Sequence, residues 1–273
     1  MGVPWSKRPW ALPVLVTLYQ PEEQNQKAGR RHKTPSELMR QMLAVLLGWF
    51  PERKFVFSGD GGYATHDLAQ FAKRHHPQLT LVSRFYANAN LYAALSQQTG
   101  KKNDRPRKKG HKLPTPEEVV KQSGKRRKLT VAWYGGGQRK VEVITGTGHW
   151  YQAGAGLVEV RWVFVHDLTA THRDDYFFTT DISLAPKAII EIYTGRWSIE
   201  TMFQEMRAYL GLETTRGRTR STVLRAAPML FGLYRLVVLL YIQMPSRWKT
   251  VEGIYWSGKS TVTFSDVITR VRC

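Results

Sequence analysis

Apolar residues recur along this chain with two spacings, and each spacing predicts one kind of secondary structure. Short runs rich in β-branched and aromatic residues predict strands. These predicted strands cover residues 10–19, 54–60, 79–85, 129–134, 141–145, 158–166 and 176–180. Apolar residues at helical spacing predict helices over residues 34–49, 65–75, 193–207 and 227–241. The order of these elements predicts an α/β protein.

Two local patterns sharpen these predictions. Thr34-Pro35-Ser36-Glu37 is typical of a helix start, because a Thr cap is followed by Pro at the first helical position and by Glu three residues after the cap.

Residues 54–60 form a short predicted strand that ends at Asp60, just before two glycines. A carboxylate at a strand end is a typical ligand position in α/β proteins. An Asp in a glycine turn can also serve its own backbone, and the stretch alone leaves both interpretations open.

The predicted helix that starts near residue 193 carries several polar side chains on one face. Three, four and seven positions separate these residues in turn: Tyr193, Arg196, Glu200 and Arg207. At about 100° per residue, this spacing places them within an arc of roughly 60°. One carboxylate therefore shares a helix face with two guanidinium groups and a phenol. Taken alone, such a face is also what a solvated helix with Arg–Glu pairs presents.

Together, the two stretches resemble the DDE transposases of bacterial insertion sequences. The four polar positions match that family's Y-(2)-R-(3)-E-(6)-K signature, with Arg207 where the family usually has Lys. The strand, Asp60-Gly-Gly-Tyr and the helix that follows resemble the family's motif around its second catalytic Asp. The resemblance covers about residues 1–243 and implies that Asp60 and Glu200 are catalytic, metal-binding carboxylates. It also implies that Tyr193, Arg196 and Arg207 bind transposon-end DNA.

The resemblance further implies a fold and a domain order. The expected fold is an RNase H-like, retroviral-integrase-like core in which three acids hold two divalent ions, Mg²⁺ or Mn²⁺. Residues 1–94 would form the first part of this core, 95–180 a basic linker and β-rich insertion, 181–245 the core helices with the signature, and 246–273 a C-terminal tail. Asp181 is interpreted as a turn or helix-start residue and is the reserve candidate for metal binding.

The first catalytic Asp of the family has no counterpart in this sequence. It should lie on the first core strand, well before Asp60, yet residues 1–59 contain no Asp. The acids in this range are Glu22, Glu23, Glu37 and Glu52. Their positions in loops and in a helix cap do not suit a strand-borne ligand. We therefore expect a core that is incomplete at the N-terminus, the C-terminal portion of a longer transposase, and no catalysis by this chain alone.

The charge of the chain points to a polyanionic partner. Lys and Arg number 41 against 21 Asp and Glu, which gives a formal net charge of +20 and a pI near 10.2. Such a surface concentrates DNA by releasing its counterions, although ribosomal or merely solubilising charge has the same composition. Basic residues are dense between Lys101 and Lys128, where prolines predict an extended surface segment. The candidate DNA contacts there are Lys108, Lys109, Arg126 and Arg127.

The expected partners are DNA, as transposon ends and target, and a second copy of the chain in a homodimeric DNA complex. No membrane partner is expected, because Pro228 and Arg235 interrupt the one membrane-length stretch, residues 227–244, and a buried core helix is the preferred interpretation. The single cysteine, Cys273, suits a reducing cytosol, so we expect a cytoplasmic, nucleoid-associated protein. Two alternatives stay open: a non-catalytic basic DNA-binding protein derived from a transposase, and a structural nucleic-acid protein of unrelated fold.

Overall fold

A computed structural model describes residues 8–95, 108–213, 219–249, 257, 259 and 261–272. The chain forms two compact units. The sheet unit comprises Tyr19–Arg196, and the helical unit comprises Met1–Leu18 together with Trp197–Cys273. The four-segment domain division stays a prediction.

One mixed sheet of seven strands organises the sheet unit. Its strands are β1 (Phe55–Gly59), β2 (Leu79–Arg84), β3 (Leu91–Tyr92), β4 (Arg127–Ala132), β5 (Gln138–Gln152), β6 (Gly156–Asp167) and β7 (Asp175–Thr179). They follow the order β1-β2-β7-β6-β5-β3, and β4 also pairs with β5. β1 and β2 are parallel, and the other pairings are antiparallel. The strands predicted after residue 54 are therefore confirmed, and so is the mixed α/β class.

Helices cover both faces of this sheet. The unit contains α1 (Glu22–Lys27), and α2 (Pro35–Trp49), α3 (His66–Arg74) and α4 (Pro116–Gln122) pack on one face of the sheet, while α5 (Pro186–Gly195) packs on the other. Leu81 of β2 and Phe178 of β7 join a core that also contains side chains of α2 and α3. Val82 and Phe177, their immediate neighbours in sequence, join a second core with α5. Because successive strand residues point to opposite faces, β2 and β7 are buried on both sides.

The helices α2 and α4 begin with the same capping box. Thr34 caps α2 and exchanges hydrogen bonds with Glu37, as predicted, and Thr115 and Glu118 do the same at α4. The helix α4 corrects the prediction of an extended segment over residues 101–128. The Thr-Pro-Glu-Glu sequence at residues 115–118 matches Thr34-Pro35-Ser36-Glu37 and is typical of a helix start, whereas the surrounding charges and prolines favour an extended segment.

Two predictions near the start of the chain are wrong. Residues 10–19 do not form the predicted strand, since only Ala11 has a bridge assignment and the following residues are irregular. Trp10 and Leu12 are instead buried among the helices of the helical unit, whereas Val16 and Tyr19 are exposed. An apolar run gains the same free energy from burial against helices as from burial in a sheet. Glu22 and Glu23, which were expected in a loop, lie instead in the short helix α1.

The helical unit consists of α6 (Trp197–Leu210), α7 (Arg220–Gln243) and α8 (Phe264–Arg272) around their own apolar core. Glu205 of α6 is buried in this core. Its carboxylate accepts hydrogen bonds from Arg8 Nη2 at 2.6 Å, from the Tyr234 hydroxyl at 3.0 Å and from the Phe264 N–H at 3.2 Å. A buried charge is tolerated only when it is paired in this way. Glu205 therefore ties α6 to α7, to α8 and to the segment before Trp10.

The helix α7 corrects the prediction of a buried core helix. Tyr234, Val238 and Tyr241 are buried, but Met229 is 73% exposed and Leu236 is 54% exposed. Among the described helices, α7 is long and apolar enough to cross a membrane by length and composition alone, a property that core helices of soluble proteins share. One face of α7 thus packs into the core of the helical unit. Apolar side chains on the rest of α7 are exposed.

Asp167, at the end of β6, is a buried carboxylate surrounded by donors. Arg139 Nη1 lies 2.7 Å from its Oδ2, and the N–H groups of Thr169, Thr171 and His172 donate to it at 3.1, 3.2 and 3.1 Å. Burial alone would raise the pKa of Asp167, but these hydrogen bonds and Arg139 hold the pKa well below its usual range. The carboxylate thus fixes the connection between β6 and β7.

We expect Asp167→Asn to lower the free energy of unfolding by about 2 kcal/mol at neutral pH, since an amide cannot serve these donors as the carboxylate does. The folded pKa is depressed, so the stabilisation is present above the unfolded pKa of about 3.9 and is lost as pH falls toward the folded value. Urea unfolding at about pH 7 and about pH 3 should therefore show a difference between wild type and variant that shrinks in acid. Asp174→Asn, a partly exposed neighbour, is the control and should change little. A difference independent of pH would contradict this account.

Candidate active site

The turn that follows β1 carries Asp60 at the C-terminal tip of the strand, as predicted. Asp60 is exposed, and its Oδ1 accepts the N–H of Gly62 at 2.9 Å. It caps a single 3₁₀ turn, Gly61–Tyr63, in front of α3. A Cβ added to Gly59 would lie 2.7 Å from Cβ of Tyr63, so the close approach of strand and turn requires glycine there. The carboxylate therefore stabilises its own turn and also faces solvent.

Ser83 of β2 holds this turn from the neighbouring strand. The residue is fully buried, and its hydroxyl lies 3.0 Å from the carbonyl oxygen of Gly59 and 2.8 Å from that of Asp60. In the parallel register, Ser83 stands beside Gly59. The end of β2 thus fixes the backbone that presents the Asp60 carboxylate.

Arg84, the last residue of β2, forms an ion pair beside the Asp60 turn. Its Nη2 lies 2.9 Å from Oδ2 of Asp175, the first residue of β7. The pairing of β2 with β7 is antiparallel, so the end of one strand lies next to the start of the other. Cδ of Arg84 is 4.0 Å from the position that a Cβ would take on Gly61. The ion pair and the Asp60 turn therefore lie at the same edge of the sheet.

Two tyrosines and a second arginine complete this group. The polar edge cluster, as we call it, consists of Arg84, Asp175, Tyr134, Tyr193 and Arg196, all of which belong to the sheet unit. Tyr193 is 2% exposed, and its ring stacks on Phe177 with centroids 4.3 Å apart. The guanidinium carbon of Arg196 lies 5.7 Å from the Tyr193 ring centroid.

Burial governs the electrostatics of the cluster. It raises the pKa of Tyr134 to about 12, with further contributions from Tyr193 and Asp175, and it raises the pKa of Tyr193 as well. Burial also raises the pKa of Asp175, although Arg84 opposes this. Both phenols therefore remain neutral hydrogen-bond donors near pH 7, beside two permanently charged guanidinium groups.

The single helix predicted over residues 193–207 is in fact two helices. The helix α5 ends at Gly195, Arg196 follows as its cap, and α6 begins at Trp197. The N–H of Arg196 donates to the carbonyl oxygen of Tyr193 at 3.2 Å, which tightens the last turn. Glycine is a poor helix former, so Gly195 favours a break at this point. The prediction of one continuous helix over residues 193–207 is therefore wrong.

The break also separates the signature residues between the two units. Tyr193 and Arg196 belong to the sheet unit, whereas Glu200 and Arg207 belong to the helical unit. Glu200 lies exposed in the first turn of α6. Arg207 is exposed and forms a two-point ion pair with Glu213, with Nε and Nη2 at 2.7 and 3.2 Å from the carboxylate oxygens.

Asp181 acts as a turn residue, in agreement with its preferred interpretation. Its Oδ1 accepts the N–H of Ser183 at 3.0 Å and the hydroxyl of Ser183 at 2.6 Å, and these bonds lower the pKa of Asp181. It follows the end of β7, whereas Asp175 starts that strand. Asp181 therefore lies at the opposite end of β7 from the polar edge cluster.

The basic stretch is described from Lys108 onward, and its first part, Lys101–Arg107, lies outside the described residues. Lys108 is exposed. The ammonium of Lys109 lies 4.3 Å from the ring centroid of Tyr92 and 4.7 Å from that of Tyr151, with the Tyr92 hydroxyl at 3.0 Å. Next to it, a Cβ on Gly110 would lie 2.4 Å from the carbonyl oxygen of Ala93, so the backbone is tightly packed here. Lys109 therefore anchors this segment to the sheet.

The remaining two basic candidates lie at the start of β4. Arg126 is 3.7 Å from Glu142 and rests over the Phe164 ring, with its guanidinium carbon 5.5 Å from the centroid. Arg127 begins β4 with an exposed side chain. Arg127 is thus carried by a regular strand, and Arg126 is the residue immediately before it.

The described part of the chain offers no ready metal site. No three His, Cys, Asp or Glu side chains among the described residues come together as a group that could hold an ion. The described residues therefore do not fit the complete two-ion site that the resemblance implies.

Comparison with known families agrees with the transposase motifs. A family model described as "Transposase DDE domain" matches residues 25–236. This range contains the Asp60 turn, the polar edge cluster and the helix with Glu200. The protein is therefore of the transposase class, and the chain belongs to the transposase DDE domain family. A search of curated proteins found no match.

Sequence reasoning missed Arg84, Asp175 and Tyr134. Arg84 is the last but one residue of a predicted strand and Asp175 immediately precedes another, and the argument from strand ends that singled out Asp60 applies to both. Tyr134 gave no such signal, because its place depends on the hairpin between β4 and β5 and on the stacked ring of His172, whose centroid lies 5.8 Å away.

Two adjacent lysines, Lys108 and Lys109, give a matched test of the contact between Lys109 and the two tyrosine rings. We expect Lys109→Gln to lower the free energy of unfolding by about 1 kcal/mol, because the partly buried ammonium no longer packs against the two tyrosine rings. Lys108→Gln removes the same charge from an exposed position and should leave the melting temperature unchanged. Thermal unfolding followed by circular dichroism measures both variants. Equal melting temperatures would show that the two tyrosines do not hold Lys109.

Proposed function

We propose that this chain is part of a DDE transposase that cleaves and joins DNA at the ends of an insertion sequence, with Asp60 and Glu200 as two of its three catalytic carboxylates. The observation that carries the proposal is the family match over residues 25–236, which takes in both motifs. DDE transposases generally use divalent metal ions, and Mg²⁺ or Mn²⁺, two in a complete site, suit hard carboxylate ligands. The exposed tip position of Asp60, at the end of a parallel strand, supports its assignment.

We further propose that the RNase H-like core gains another strand, bearing the first acid, at the edge of β1, and that this chain alone is catalytically inactive. Among the described strands, β1 pairs only with β2. Val56 of β1 is 52% exposed and Trp49, at the end of α2, is 58% exposed. Among the described strands this edge of β1 has no partner, and together with the exposed Val56 it is suited to receive a strand. Such a strand would supply the Asp that residues 1–59 lack.

DNA is the proposed substrate, as transposon ends and target, in a cytoplasmic, nucleoid-associated homodimeric complex. The proposed contacts are Tyr193, Arg196, Arg207, Lys108, Lys109, Arg126 and Arg127. The net charge of +20 supports this assignment, and so do the exposed positions of Lys108 and Arg127. Lys109 contributes less in this scheme, because two tyrosines already hold its ammonium.

A non-catalytic DNA-binding protein derived from a transposase is the second candidate. The observation that favours it is the lack, among the described residues, of any group of three potential ligands. It predicts the same DNA binding, and it differs in that adding a strand to β1 would not produce cleavage.

Cleavage assays separate these possibilities. We expect the 273-residue chain to leave labelled transposon-end DNA intact in Mg²⁺ or Mn²⁺, because a site that lacks one acid binds its ions poorly. A chain extended by an upstream Asp-bearing strand should nick the same DNA. That nicking should disappear with EDTA and in Asp60→Ala and Glu200→Ala variants.

Asp181→Ala is the matched control in the extended chain, since Asp181 serves a turn at the other end of β7, and it should retain nicking. Metal-dependent nicking by the short chain, abolished in Asp60→Ala and Glu200→Ala, would contradict the proposed inactivity. Binding without nicking by the extended chain would favour the second candidate.

The salt dependence of binding tests the basic contacts. Replacing Lys108, Arg126 and Arg127 with Gln should weaken DNA binding and flatten the plot of log affinity against log salt by about 0.9 for each phosphate that is no longer neutralised. The control replaces Lys27, Arg30 and Arg74, three exposed cations away from this stretch. Fluorescence anisotropy with a labelled duplex gives both slopes. Equal slopes for the two triple variants would show that the basic stretch contributes only to the overall charge and makes no particular phosphate contacts.

A further inference from the structure

We propose that Arg84 is a phosphate-binding residue of the DNA site and that Asp175 holds it in place, so that the polar edge cluster grips a DNA phosphodiester beside Asp60. This inference rests on the proposed function and adds two residues to it. Neither residue belongs to the sequence signature that suggested the other DNA contacts.

The position of Arg84 follows from the sheet. It ends β2, whose parallel pairing with β1 places it one residue beyond Ser83, which holds the backbone of the Asp60 turn. Its Cδ packs near Gly61, 4.0 Å from where a Cβ would lie. A Cβ at residue 61 would be in ordinary van der Waals contact with this carbon, so the turn and the arginine side chain are neighbours. The guanidinium therefore belongs to the immediate surroundings of Asp60.

The hydrogen bonding of Arg84 is incomplete. A guanidinium has five N–H donors, and the bond to Asp175 uses one of the groups on Nη2. Nε of Arg84 is buried and has no hydrogen-bond partner among the residues that the structure describes. A buried donor without an acceptor is costly, and in native proteins it often marks a place where a ligand or water supplies the acceptor. Because the side chain is still 35% exposed, a phosphate oxygen can approach the outer edge of the guanidinium.

Asp175 has the geometry of a positioning residue. Its side chain is 22% exposed, and burial raises its pKa, while the ion pair with Arg84 opposes that shift and favours the ionised form. An ion pair that is partly buried adds little net stability, because the cost of desolvation offsets the attraction. It does restrict the rotamers of a long side chain, and planar guanidinium groups fixed in this way suit two-point binding of phosphate.

The rest of the cluster favours an anion over a cation or an apolar ligand. Arg196 adds a second guanidinium within the same unit, and both phenols stay protonated. The formal charge of the five residues is +1 with Asp175 ionised, from two arginines and one carboxylate. Donors therefore outnumber acceptors, as at an oxyanion site.

A charge-conserving double variant gives the test. Arg84→Gln with Asp175→Asn leaves the net charge of the chain unchanged and removes the ion pair without stranding either partner. Glu52→Gln with Arg53→Gln is the matched control, because these adjacent, exposed residues precede β1 at the opposite end of the strand from Asp60. Fluorescence anisotropy of the full chain with a labelled transposon-end duplex, over a series of salt concentrations, gives affinity and salt slope for each.

We expect the Arg84/Asp175 variant to bind about tenfold more weakly than wild type, with a salt slope flatter by about 0.9, while the control binds like wild type. Equal binding by both double variants would overturn the inference and leave the proposed function standing. A wild-type chain that does not bind DNA would overturn both.

Circular dichroism of the double variant shows whether the sheet survives. If it does not, Arg84→Lys keeps the charge and the ion pair but removes the two-point geometry. We then expect about threefold weaker binding with an unchanged salt slope, since the number of charges is the same. Wild-type affinity in Arg84→Lys would overturn the assignment of a guanidinium–phosphate contact.

Discussion

The burial of β2 on both faces is the constraint on which the sheet unit depends. Leu81 faces the core under α2 and α3, Val82 faces the core under α5, and Ser83 is buried with its hydroxyl directed at the Asp60 turn. A slip of one residue would exchange the two faces and turn Ser83 away from that turn. The same register brings Arg84 to Asp175, at the start of β7. Packing of ordinary aliphatic residues thus determines where the polar groups of the sheet edge stand.

Much of the sheet unit could be predicted from local patterns. The capping box at Thr34, the strand that ends at Asp60 and the hairpin after residue 129 each depend on interactions between near neighbours in sequence. The failures arose where burial is decided by distant partners. The run at residues 10–19 has the composition of a strand, but Trp10, Ala11 and Leu12 are covered by helices. The apolar character of α7 predicted burial, yet composition does not reveal which elements will cover a helix.

The candidate site was predicted in part, for the same reason. Asp60 and the spacing between Arg196 and Glu200 can be recognised in the sequence alone. The family match supports the transposase class that they indicate. The break after Gly195 was the missed element, since four residues on one calculated helix face fall into two separate units.

Glu205 is an acid on the same helix as Glu200, but it has a structural role. This acid is five residues beyond Glu200, and it is buried with three donors, so it serves the core of α6, α7 and α8 rather than DNA or metal.

The pairing of β2 with β7 has a consequence for how the sheet assembles. Short stretches of chain connect the paired strands β4–β5, β5–β6 and β6–β7. The pairing of Val82 with Thr179, by contrast, closes a loop that contains all of these strands. Closing so large a loop costs entropy before any contact offsets it, which makes non-local strand pairing slow. The antiparallel strands can therefore form a nucleus on which β1 and β2 dock late. On this route the Asp60 turn, though specified locally, is among the last parts of the sheet to reach its final position.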